Sequence, residues 1–267
     1  MKGVAPWLLG LFLLAACNRA APPADPGYLL VGTPTGIVRL DLQDGTLAPL
    51  GFGSGSFARK DDALYYRAGT RIKVYDLEGN HLRDVVIDPP VPSIEIAVAA
   101  DGTVLLLDND GDKIHFLNPD GTLAASVDFG GNPATLENLY PLLRGSQLVV
   151  SEDGYKRVFA VSLDDRSVRV VKDLSSLEAD WLSGIAWDGG AYYVGTNRRT
   201  IVRFTESGPA TVLATLPDVP AGLAYAAGRL YAAAYHAGKV YRIDPASGAF
   251  EVVAQGLDRP AILVAGP

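Results

Sequence analysis

The sequence predicts an all-β fold, a six-bladed β-propeller with four antiparallel strands per blade, and three observations carry that expectation. Apolar runs of five to seven residues alternate with Gly, Asp and Asn, and no helical periodicity persists. A polar residue closing the third strand of each unit recurs at Asp41, Asp76, Asn118, Ser162, Thr205 and Asp244, in steps of 35 to 44 residues. A period near 40 with four strands per unit is the signature of a propeller. Lastly, the repeat starts one strand late and finishes one strand over, so a C-terminal strand is expected to complete the first blade.

Composition agrees. The 267 residues are 48% hydrophobic and 20% charged, too apolar for a disordered chain and long enough to bury a large core. A net charge of −7 excludes the basic footprint of a nucleic-acid binder. Cys17 is the one cysteine, so intramolecular disulfides are excluded.

Taken in order, residues 1–16 read as a signal peptide. Lys2 supplies a positive start, and the apolar run from Trp7 to Leu14 is too short to span a bilayer. Leu14-Ala15-Ala16-Cys17 resembles the lipobox of bacterial lipoproteins. That resemblance implies a diacylated Cys17 at the mature N-terminus and attachment to a membrane through its lipid. Residues 17–27 hold three prolines and no apolar period, as a semi-extended tether would. Asn18 stands where many enteric lipoproteins retained in the inner membrane have aspartate. The expected location is therefore the bacterial cell envelope, on the periplasmic face of an outer membrane or at the cell surface.

Residues 28–267 form the propeller domain. Tyr28 to Gly32 leads into Gly36 to Asp41, so the first unit begins at its second strand. The clearest unit runs Ile96-Ala97-Val98, a turn at Asp101-Gly102, Thr103 to Leu107, a loop, Ile114 to Asn118, a turn at Asp120-Gly121, and Thr122 to Val127. The same phrase returns as GIAWDGGAYYVG (184–195) and GLAYAAGRLYAA (222–233). Pro260 to Gly266 supplies the missing first strand. Closing the ring this way removes two open sheet edges.

The wording of the third unit, Ile96-Ala97-Val98 with Asp101-Gly102, then Val104 to Asn109 and Lys113 to Phe116, resembles an NHL repeat. Six-bladed relatives of that type include the regucalcin/gluconolactonase hydrolases. The resemblance implies the fold, with loops between second and third strands and between blades gathered on one face around a central channel. It fixes no activity, because one propeller scaffold serves many.

Aligning the units puts Glu95, Asn138, Gly184, Gly222 and Ala261 at equivalent places where the first strand enters the channel. Gly and Ala suit a crowded axis, whereas a carboxylate there needs a partner. Regucalcin-like hydrolases hold a divalent metal at the channel with a Glu, an Asn and an Asp, so Glu95 and Asn138 are the candidate metal ligands. Two oxygen-bearing side chains fall short of a hard cation's needs, and watered channel lining is the plainer reading.

On the loop face, Asp108, Asp110 and Asp112 cluster, but the glycine and terminal glutamate of a calcium loop are missing, and a solvated hairpin is expected. Arg198-Arg199 with Lys156-Arg157 would attract an anion. Tyr235-His236 is a further candidate binding pair, while His115 reads as packing within a strand. No nucleophile elbow, phosphate loop or Cys-X-X-Cys is present.

The leading expectation is a lipid-anchored exported propeller serving as a non-catalytic binding or scaffolding module, without a cofactor. Its partner would be a protein or small molecule on the loop face. The rival is a metal-dependent lactonase or esterase of the regucalcin type, and a quinone-cofactor dehydrogenase stands third because it would need more basic and aromatic clamping residues. The anchor is testable at once. Metabolic labelling with a fatty acid should mark the wild-type chain and leave Cys17→Ala unlabelled; a labelled variant refutes lipidation at this thiol.

Overall fold

A four-stranded sheet whose inner strands are apolar on both faces has to cover both. Leu105, Leu106 and Leu107 are all fully buried in one strand, so something must pack on each side of it. The computed structural model describes residues 27–53, 55–91, 95–109, 111–130 and 139–265, and shows what does.

Among the described residues there is no helix, and 24 strands form six four-stranded antiparallel sheets. The first blade contains β1 (Tyr28–Thr33), β2 (Gly36–Asp41) and β3 (Leu47–Pro49). The second is β4 (Phe57–Lys60), β5 (Ala63–Ala68), β6 (Arg71–Asp76) and β7 (His81–Val86). The third is β8 (Glu95–Val98), β9 (Val104–Asp108), β10 (Lys113–Leu117) and β11 (Leu123–Asp128). The fourth is β12 (Leu139–Arg144), β13 (Gln147–Glu152), β14 (Arg157–Ser162) and β15 (Val168–Asp173). The fifth is β16 (Leu182–Trp187), β17 (Tyr192–Thr196), β18 (Thr200–Phe204) and β19 (Thr211–Thr215). The sixth is β20 (Pro220–Ala226), β21 (Arg229–Ala234), β22 (Lys239–Ile243) and β23 (Phe250–Gln255). Finally β24 (Ile262–Ala265) returns to pair with β1, Leu29 opposite Ala265 and Gly32 opposite Ile262. The six blades and the closure by a C-terminal strand are thus as the repeat predicts.

The core is distributed between blades. Leu106 and Val104 pack with Ile72 and Val74 of the second blade, whereas Leu105 and Leu107 pack with Leu148 and Val150 of the fourth. Period-two alternation sends successive side chains of one strand to two different neighbours. The same arrangement fills the other four junctions, including the seam, where Leu29, Val31 and Leu263 meet Tyr231, Ala233 and Val240 of the sixth blade. Outermost strands are covered far less, and β11 alternates between half-buried and exposed.

The recurring polar residue marks the corner between the third and fourth strands. Asp41 accepts the Gln43 N–H at 2.8 Å, Asp76 the Asn80 N–H at 2.7 Å, Thr205 the Gly208 N–H at 2.9 Å and Asp244 the Ser247 N–H at 2.9 Å. Side chains of this kind stabilise a turn by satisfying backbone donors that the ladder leaves free. Two corners also dock a neighbouring blade. A Cβ on Gly121 (φ +94°) would lie 2.0 Å from the Val86 carbonyl of the blade before, and one on Gly248 (φ +73°) 2.1 Å from the Leu213 carbonyl. Only glycine permits both the left-handed turn and that approach.

The seam can be tested directly. Deleting residues 260–267 strips β1 of one partner and uncovers Leu29 and Val31. The apolar area exposed is worth several kcal/mol at about 25 cal/mol per Å2, so the melting temperature should fall by roughly 10 °C or more. A truncated chain that melts with the wild type contradicts the closure.

Candidate functional site

β4, β8, β12, β16, β20 and β24 are each bonded to a neighbour on one side only. Their free edges face the axis and enclose a channel of about 300 Å3, lined among others by Ala97, Leu142, Ile185, Leu223 and Leu263. Crowding is tightest on one side. A Cβ on Gly184 would stand 2.7 Å from the Gly222 Cα, and one on Gly222 would stand 2.4 Å from the Ala261 carbonyl. Small residues let three neighbouring strands converge there.

Glu95 stands at the loop-face end of this channel, at the start of β8. Its Oε2 accepts a hydrogen bond from the Ser56 hydroxyl at 2.6 Å, and the Ser56 oxygen in turn accepts the Ile96 N–H at 3.1 Å. Burial pushes its carboxyl up to about 7 from the ordinary 4.5, and the Ser56 bond only partly offsets that.

The residue at Glu95's level on the next blade is Tyr140. Glu95 pairs with Leu107, Tyr140 pairs with Ser151, and Leu107 and Ser151 hold the same place before matching hairpin loops. The expected equivalence of Glu95 with Asn138 is therefore displaced by two residues, and Asn138 itself lies outside the described residues. The first hairpin accounts for one residue of this, since Glu95 precedes its partner Leu107 by twelve residues and Tyr140 precedes Ser151 by eleven. Burial, with the negative charges of Asp153 and Glu95, raises the Tyr140 hydroxyl well above its ordinary range. At the other end of β4, Arg59 also lines the channel and donates from Nη1 to the Ala265 carbonyl at 3.2 Å.

The loop face differs from expectation in its acids. Asp108 and Asp112 are buried rather than solvated, and Asp110 lies outside the described residues. Asp108 Oδ1 accepts the Gly111 N–H at 3.0 Å, closing the loop, while Oδ2 is 3.5 Å from His115 Nε2. His115 is buried as packing predicts, and its Nδ1 lies 2.8 Å from Ser126 Oγ. Asp112 (φ +52°), Lys156 (φ +55°) and Arg199 (φ +64°) all adopt the left-handed turn just before their third strand. Three residues singled out by charge thus share one backbone position. Among the described residues no three His, Cys, Asp or Glu side chains cluster as a metal site would require.

Three of the four residues in the two basic pairs are engaged by partners of their own. Lys156 donates to the Leu177 and Ala179 carbonyls, at 3.3 and 2.9 Å. Arg157 pairs with the fully buried Glu152 at 3.1 Å and donates to the Gly130 carbonyl. Arg198 makes an exposed pair with Asp180 at 3.4 Å, and Arg199 is exposed. Aromatic side chains remain outward on this face. Tyr155 and Trp181 are 43% and 46% exposed, Arg157 lies 4.4 Å over the Tyr155 ring, and exposed His236 meets half-buried Tyr235 edge-on at 5.0 Å. Sequence reasoning missed Ser56, Arg59, Tyr140, Tyr155 and Trp181. For the last two, the aromatic residues of the loops were the available signal.

These features define a closed six-bladed propeller with a narrow polar-ended channel and an aromatic loop face. No protein-family model matches the chain, and no curated protein sequence matches it. Among solved structures it is similar to virginiamycin B lyase from Staphylococcus aureus, at 20% identity over 78% of this chain and 73% of that one, with a TM-score of 0.59. A chain of the nidogen/laminin complex is similar at 15% identity over 88% and 97%, TM-score 0.67. A Bacteroides fragilis protein assigned as a 6-phosphogluconolactonase is similar at 14% identity over 89% and 97%, TM-score 0.61. At these identities the likeness is one of fold.

Glu95 gives a pH-dependent prediction. The folded chain holds this proton more tightly than the unfolded one, so between about pH 4.5 and 7 it binds more protons and its stability falls as pH rises. The cost is absent below that window and complete above it. It is at most about 1.4 kcal/mol per pH unit, reduced by the partial opening to channel water. Glu95→Gln should melt with the wild type at about pH 4 and a few degrees higher at about pH 8. Coincident melting at the higher pH refutes the assignment.

Proposed function

We propose that the protein is a lipid-anchored, exported binding propeller, held at the bacterial cell envelope through Cys17 and the tether at 17–27, which engages a partner on its loop face without catalysis. One observation carries this reading. The buried acids of that face, Asp108 and Glu152, and the half-buried Lys156 are engaged in holding loops, while Tyr155 with Arg157, Trp181 and Tyr235 with His236 are presented outward. Rigid aromatic side chains give large contact area at low entropic cost, and loops fixed on a stiff scaffold suit recognition.

The metal-dependent hydrolase reading rests on Glu95 and on the enzyme names among the similar structures. The donor set does not suit a divalent metal. Glu95 is the one acidic side chain lining the channel among the described residues, and one of its oxygens is engaged by Ser56. A hard cation needs six or more oxygens.

Site-specific photo-crosslinking in the native host tests the binding reading. A photoreactive residue at Tyr155 or Trp181 should give a discrete adduct, and one at Leu82 or Phe250, exposed on the outer rim, should not. Adducts from the rim alone, or none from the loop face, overturn it.

A further inference from the structure

An acidic and a basic side chain stand at the two ends of the channel. Ser56, immediately before β4, holds Glu95 at the loop-face end. Arg59 lies three residues further along β4, beside the turn at 61–62 that closes the opposite end. At about 3.3 Å per residue in a strand, the backbones of Ser56 and Arg59 are roughly 10 Å apart along β4. Glu95 and Arg59 do not neutralise each other. Burial and the Ser56 bond account for the state of Glu95, and Arg59 spends one donor on the Ala265 carbonyl.

Both ends keep unused capacity. Ser56 occupies one carboxylate oxygen of Glu95. The Arg59 Nε is buried and has no hydrogen-bond partner, which is costly for a guanidinium donor unless something fills the role. Between the ends, Ala97, Leu223 and Leu263 supply apolar wall. The volume, about 300 Å3, is at the small end for ligand cavities.

We infer that the channel is a binding site for a small extended zwitterion, its ammonium group on Glu95 beside Tyr140 and its carboxylate on Arg59. A carboxylate accepts two parallel bonds from a guanidinium fork. An ammonium group supplies the counter-charge that lets the buried Glu95 carboxyl ionise. Partners at opposite ends of the channel select charged groups at opposite ends of a short chain, as in an ω-amino carboxylate or a tripeptide, over α-amino acids that carry both on one carbon. This site is separate from the partner surface of the loop face and stands without it.

Calorimetry on the purified chain with four probes tests the inference: 6-aminohexanoate, triglycine, hexylamine and hexanoate. At least one of the two zwitterions should bind ten-fold or more tightly than either singly charged analogue, and the tighter of the two identifies the source as amino carboxylate or peptide. Glu95→Gln should weaken zwitterion binding at least ten-fold and leave hexanoate unchanged. Arg59→Met should weaken zwitterion binding similarly and leave hexylamine unchanged. The wild-type ordering decides the matter even where a variant fails to fold. Zwitterions that bind no better than the singly charged probes, or Glu95→Gln binding like the wild type, overturn the inference.

Discussion

The structure depends on one constraint: no blade can cover its own two faces. Each inner strand is apolar on both sides, so every blade is a core only in the presence of the blades before and after it. A linear array would leave two terminal faces exposed to water, and a ring leaves none. The seam follows from the same requirement, because the sixth junction forms only when Leu29, Val31 and Leu263 are brought together from opposite ends of the chain.

That constraint also positions the channel. Blades held by their faces converge on an axis, and the residues nearest it must be small where strands crowd. Gly184, Gly222 and Ala261 meet that need on one side. The other side has room for Glu95 and Tyr140, so the chemistry of the channel is concentrated on the second, third and fourth blades. The loops above use much of their charge to hold their own shape, which leaves aromatic side chains exposed on that face.

The fold was legible because its turn chemistry is written in the residues that perform it. Asp41, Asp76, Thr205 and Asp244 are polar because each accepts backbone N–H groups at a corner, and their spacing therefore counts blades. Glu95 was legible as a carboxylate in a register of small residues. Its neighbour was not, because hairpins of different length displace one strand against the next and only the pairing reveals Tyr140. Ser56 and Arg59 escaped notice because the second blade lacks the repeat phrase that aligned the others. Burial of Asp108 and Asp112 was hidden for another reason: acids in a hairpin read as solvated until the loop is seen folded over them.

The placement of β1 has a mechanical consequence. The first described strand is not the edge of its sheet, for it lies between β24 and β2. Tension arriving along the chain ahead of Tyr28 therefore meets hydrogen bonds on two sides, to Ala265 through Ile262 on one flank and to Asp41 through Gly36 on the other. An edge strand under load peels away one bond at a time. A strand clamped between two others has to shear both ladders together, so the point where the chain enters the ring is one of its strongest attachments.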